Sequence, residues 1–156
     1  MSEHTLTAKQ VMDDFCSRDP GRVRSAAHEI LARSQDPEYL RPLTRHMLKL
    51  KLRTRGLELG GLLAPNQRFV DFALQVLEFH KKGVGCPCAL YPMSGDSIYS
   101  FPMEVKRGNL TVLDTVLSDD GPYVDHYLAE CPRCGQKYEV IEREYHYTWW
   151  RWTAVQ

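Results

Sequence analysis

Four of the five cysteines fall in two short pieces, Cys86-Pro87-Cys88 and Cys131-Pro132-Arg133-Cys134, the second followed by Gly135. Paired thiols can ligate a metal, cycle between thiol and disulfide, or form structural disulfides. A C-x-x-C turn suits chelation. Its backbone N–H groups point inward at the two sulfurs, and a following glycine accepts the positive φ that closes the turn. Redox chemistry of the thioredoxin type instead places the first cysteine at a helix N-terminus, where the dipole lowers its pKa. The residues after Cys134, "GQKYEVIERE", alternate like a strand, so the redox reading is the weaker one. Disulfides or free thiols form a third reading, disfavoured in a reducing compartment. The favoured ligand set is therefore Cys86, Cys88, Cys131 and Cys134 around zinc. Four thiolates close the coordination shell, leave no position for a reacting water, and make such a site structural.

The second pair resembles the knuckle of zinc ribbons and rubredoxins: a strand ("HYLAE") enters, CPRCG turns, and a strand ("QKYEVIE") leaves. The resemblance covers about ten residues and implies a structural zinc held in an antiparallel β framework. The first pair departs from it. Cys86 and Cys88 are separated by one residue where ribbons have two to four, and 42 residues lie between Cys88 and Cys131. His126, five residues before Cys131, is an alternative ligand on the strand "YVDHYL".

Other chemistry-bearing residues are scattered. The six histidines do not cluster, and none has a neighbour that forms a visible base–nucleophile pair. His80, at the end of an apolar helix, is expected to cap that helix's C-terminus. No nucleotide-binding glycine loop, nucleophile elbow or HExxH is present, so no catalytic residue is assigned and the balance is against an enzyme.

Two charged regions remain. "RPLTRHMLKLKLRTRG" holds six basic residues between Arg41 and Arg55 and no acid; it reads first as a helix with solvated cations, second as an anion-binding face. Acidic residues Asp119, Asp120 and Asp125, with Tyr145, Tyr147, Trp149, Trp150, Arg151 and Trp152, form a candidate surface for a basic protein partner. Tyr145, Tyr147 and Trp149 are placed on one face of a strand and Trp150 and Trp152 on the other. Burial of part of that strand competes with partner binding.

The elements that must position these residues change character half-way. From Met1 to Gly85 there are 14 basic and 10 acidic residues; from Cys86 onward there are 6 and 10. All three Trp and seven of eight Tyr lie in the second region. "LTAKQVMDDFCSR" places Leu6, Val11, Phe15 and Cys16 on a helical stripe. "DPGRVRSAAHEILARS" and "DPEYLRPLTRHMLKLKLRT" each open with an Asp N-cap and a Pro at the first helical position, and they match at an offset of 17 residues. That pair resembles one helical hairpin of a HEAT-like array. Asn66 is expected to cap "QRFVDFALQVLEFHKK", which Gly83 ends. Afterwards the period falls to two, and "SIYSFPMEV", "NLTVLDTVLS", "YVDHYLAEC" and "KYEVIEREYHYTWWRWTAV" are expected as strands.

The fold class is α+β: an N-terminal layer of about four helices (1–84) packed on an antiparallel, zinc-stapled sheet (85–156), together one compact unit. With no apolar run near the length of a membrane span and no leader-like N-terminus, a cytoplasmic protein without membrane contact is expected. The leading function is a non-enzymatic binding protein, resembling in general character the bacterial toxin-immunity proteins; that resemblance implies stoichiometric capture of a basic toxin. Two alternatives stand beside it: a nucleic-acid-associated or regulatory zinc-ribbon protein using Arg41–Arg55, and an enzyme with a pocket between helices and sheet near His80 and His126.

Overall fold

A computed structural model describes residues 5–61, 66–95, 98–145 and 147–156 of the chain, the side chain of Tyr145 excepted. Its contacts divide the chain into two compact units, Met1–Pro87 and Cys88–Gln156. The fold is α+β, with seven α-helices and one four-stranded antiparallel sheet among the described residues.

The first unit is built of α1 (Ala8–Phe15), α2 (Pro20–Ala32), α3 (Pro37–Thr44), α4 (Met47–Thr54) and α5 (Gln67–Lys82). Local signals set its helix starts. Thr7 and Gln10 form a reciprocal capping box on α1, and the carboxylates of Asp19 and Asp36 accept from the N–H groups of Arg22 and Tyr39, each with proline next in sequence. These contacts satisfy amide groups that a helix's first turn leaves open. The buried faces follow the expected stripes: Val11 and Phe15 on α1, Val23, Ala27 and Ile30 on α2, Leu40 and Leu43 on α3, and Val70, Ala73, Val76 and Leu77 on α5.

Three details differ from expectation. The segment after Asp36 is two helices, breaking at Arg45 and His46, three residues beyond Pro42, which lacks the amide of a continuous ladder. Asn66 stands at the α5 N-cap position in a helical conformation and makes no capping bond; its side-chain amide donates to the Leu59 carbonyl instead. His80 also serves a distant partner, its Nε2 lying 2.6 Å from the carbonyl oxygen of Ser34. Gly83, at φ 65°, ends α5 as the sequence implies.

The second unit begins with a 3₁₀ turn (Pro87–Ala89), α6 (Leu90–Met93) and α7 (Phe101–Lys106), then a meander of β1 (Thr111–Leu117), β2 (Val124–Glu130), β3 (Lys137–Tyr145) and β4 (Tyr147–Val155) in that spatial order. The expected strand "SIYSFPMEV" is instead largely α7, whose first turn Phe101-Pro102 supplies the pre-set φ that proline brings to a helix start. The expected single strand at the C-terminus is a hairpin. Tyr145 and Tyr147 are cross-strand partners there, and His146 lies outside the described residues. No Gly, Asn or Pro marks that reversal, which is why the sequence reads through it.

Aromatic rings fill this unit's core. Tyr91 stacks on Trp152, centroids 4.5 Å apart and planes 12° from parallel, and its edge meets Tyr99 and Tyr138. Its hydroxyl donates at 2.7 Å to Glu104, a carboxylate only 1% exposed. Glu104 also accepts from Asn109 and from Arg107 at 2.8 and 2.7 Å. A buried carboxylate is costly unless hydrogen-bonded and paired, and this one is both. Burial, followed by the Glu104 charge and bond, pushes the Tyr91 hydroxyl well above its usual pKa. No helix of the described residues is long and apolar enough to cross a membrane.

Candidate metal centre

The two cysteine pairs reach their positions by different routes. After α5 the chain leaves through Gly83 and Gly85, both at positive φ. It then enters the 3₁₀ turn that carries Cys88, so one residue between Cys86 and Cys88 suffices to bring both sulfurs round. The boundary between the two units falls inside this pair. Buried Gln35 donates through Nε2 to the carbonyl of Pro87, between the two cysteines, at 2.9 Å.

Cys131 and Cys134 sit in the connection from β2 to β3. The Gly135 N–H donates to the Cys131 carbonyl at 2.8 Å, and the Cys131 N–H to the Gln136 carbonyl at 2.9 Å. Gly135 has φ 78°, and a Cβ there would meet nothing within 4 Å. Backbone conformation alone therefore calls for glycine. Gln136 steadies the exit, its side-chain amide donating to the carbonyls of Lys137 and Val155.

The four sulfurs lie within 4.8 Å of one another. Cys88 Sγ and Cys134 Sγ are 3.5 Å apart. Zinc–sulfur bonds of about 2.3 Å in a tetrahedron put sulfurs about 3.8 Å apart, so small adjustments would complete the shell. Cys88 and Cys131 are buried, Cys86 is half-buried and Cys134 is exposed, an arrangement open to an ion from one side. The residues present fit a thiophilic ion bound at four points.

An outer contact reinforces the fit. The buried hydroxyl of Tyr138 donates both to the Cys88 carbonyl at 3.0 Å and to Cys88 Sγ at 3.2 Å. Burial, then the hydrogen bond to Cys88, raises the Tyr138 pKa far above its normal range, which keeps it a donor. Outer-shell donors of this kind fix ligand orientation and moderate thiolate charge. Tyr138 and Gln35 were not marked by any motif. In sequence Tyr138 is one of many aromatic strand residues, and Gln35 precedes an Asp-Pro helix start.

His126 takes no part in the cluster. Its Nδ1 is 2.7 Å from Asp125 Oδ2, and its Nε2 is 4.0 Å from Glu139 Oε2. The aromatic positions divide. Trp152 is 6% exposed and stacked on Tyr91 in the core. Trp149 and Trp150 are half-buried, Tyr147 is exposed, and the Arg151 guanidinium lies 5.4 Å from the Trp149 ring centroid. The Nε1 groups of Trp150 and Trp152 are buried with no hydrogen-bond acceptor among the described residues. Asp119, Asp120 and Asp125 are exposed at the β1–β2 turn and its edge, beside a 72% exposed Tyr123.

Comparison with protein-family models, curated sequences and solved structures finds no match to the chain. The centre's own geometry is what marks it: four sulfurs within reach of one ion, two of them buried, with the Tyr138 hydroxyl and the Gln35 amide bonded to the first pair's segment.

Proposed function

We propose that the four cysteines hold a structural zinc ion, and that the chain is a non-enzymatic binding protein whose acidic hairpin engages a basic protein partner. The convergence of four sulfurs within 4.8 Å carries the first part. Thiolate ligands favour zinc over harder cations, and a shell of four leaves no position for substrate or water. The second part rests on exposed Asp119, Asp120 and Tyr123 in the β1–β2 turn and exposed Asp125 at the start of β2. An aromatic anchor amid like charges is the composition of a binding hot spot for a cationic surface. Stoichiometric capture, the mode of toxin-immunity proteins, is the specific form of this reading.

Elemental analysis of the purified chain tests the metal: about one zinc per chain is expected, lost in Cys131→Ser. Affinity purification from the native host tests the partner. A basic protein held in equal amount by the parent and released by the triple variant Asp119→Lys, Asp120→Lys, Asp125→Lys supports the assignment. Equal retention by that variant places the contact elsewhere.

A further inference from the structure

Helix α4 turns its core side inward through Met47, Leu50 and Thr54. On the opposite side, Leu48 and Leu52 stand one turn apart and are 72% and 55% exposed. Cations flank this ridge: Lys49 and Arg53 on one side, Lys51 on the other, with Arg45 and Arg55 exposed at the two ends. None of these five makes an ion pair among the described residues; Arg41, next along, is paired with Glu38. Arg18 adds a further charge. It is the one non-glycine residue at positive φ among those described, and its guanidinium donates to the carbonyls of Arg53 and Arg55 at 3.1 and 3.3 Å, closing the C-terminal end of α4.

A solvent-facing helix side normally carries its charges at the apex and its apolar residues toward the core. Here the apex is leucine and the cations lie on its shoulders. The surface is shallow: a groove of 410 Å³ is lined by residues of 45–53 alone, Arg45, His46, Leu48, Lys49, Leu52 and Arg53. Without a second wall it cannot enclose a small molecule. A flat partner that is anionic at its surface and apolar just beneath satisfies both features.

We propose that α4 is a docking face for an anionic lipid bilayer, lying in the headgroup layer with Leu48 and Leu52 inserted and the flanking Lys and Arg side chains reaching lipid phosphates. Cations of this kind each add to attraction toward an anionic leaflet, and their long stems let the charge stay at the headgroups while the helix sinks. The leucine apex favours lipid over nucleic acid, since a duplex would set phosphates against the apolar ridge and leave the cations beside it. Surface docking of this kind needs no membrane-spanning segment, so it revises the expectation of no membrane contact without invoking a span.

Co-sedimentation of the full chain with phosphatidylcholine vesicles, with and without a substantial fraction of phosphatidylglycerol, tests this. Binding is expected only to the anionic vesicles and is lost at roughly 0.5 M salt, where screening is short-ranged. The double variant Leu48→Ser, Leu52→Ser alters exposed side chains only, so it should keep the parent's thermal transition. It should weaken partitioning by about tenfold, through lost apolar insertion. Lys49→Glu with Arg53→Glu should abolish it. Absence of binding to anionic vesicles overturns the proposal. So does binding unchanged by the leucine variant, or preferential retention by a DNA duplex at the same salt; either would mark a plain polyanion face.

Discussion

The two units are stabilised by different chemistry. The helical unit packs an aliphatic interior, with Val11, Val23, Ile30, Leu40, Leu50 and Leu77 fully or almost fully buried, and its polar groups work at helix ends. The second unit buries rings and polar atoms together: Tyr91, Tyr99, Phe101, Tyr138 and Trp152 are buried along with the Glu104 carboxylate and the Cys88 and Cys131 sulfurs. Aliphatic packing tolerates imprecision at modest cost, whereas buried polar networks must be fully satisfied. The contrast teaches that a short β meander with four-residue and six-residue helices depends on specific bonds where the longer helices depend on area.

The sharpest break in that contrast comes from the metal. Chelation, or Cys131→Ser, should abolish the tertiary signal of the three tryptophans, all in β4, while most helical circular dichroism survives. Acidification should act the same way, because thiolate ligands must be deprotonated to bind. A helical signal lost in the same step would mean that the units do not unfold separately. Next in size, Ile30→Ala, in a fully buried position, should cost about 3 kcal/mol, seen by denaturant titration as a loss in the helical transition with tryptophan fluorescence unmoved. Glu104→Gln should do the reverse at about 2 kcal/mol, since it discards the Arg107 ion pair and puts an amide N–H₂ donor in place of one of two oxygens that both accept, one from Arg107 and the other from Tyr91 and Asn109. Smallest, Gly135→Ala forces a side chain into φ 78° with no clash, which should cost about 1 kcal/mol and reduce zinc affinity modestly in a competition titration.

Periodicity and caps made the first unit legible. Asp19-Pro20 and Asp36-Pro37 begin helices where the sequence places them, because N-capping is decided by a few neighbouring residues. The cysteine set was legible for a similar reason: CPRCG carries its own turn geometry. What escaped depends on distant partners. Phe101–Lys106 looks like a strand by composition and is helical, with buried Phe101 edge-on to Trp152. The β3–β4 reversal has no turn residue to announce it. Tyr138 becomes an outer-shell donor only because β3 brings it within 3.2 Å of a sulfur 50 positions earlier.

The long gap between Cys88 and Cys131 sets a thermodynamic lever. The ion would join chain positions that enclose α6, α7, β1 and β2, so its largest effect falls on the ensemble of unfolded conformations, which a cross-link across 42 intervening residues strongly restricts. For a covalent link of that span the chain-entropy relation gives on the order of 4 kcal/mol, and the increment grows only logarithmically with length. Insertions in the β1–β2 turn would therefore barely change the effect of such a link, so the acidic turn could vary in length at little cost to it.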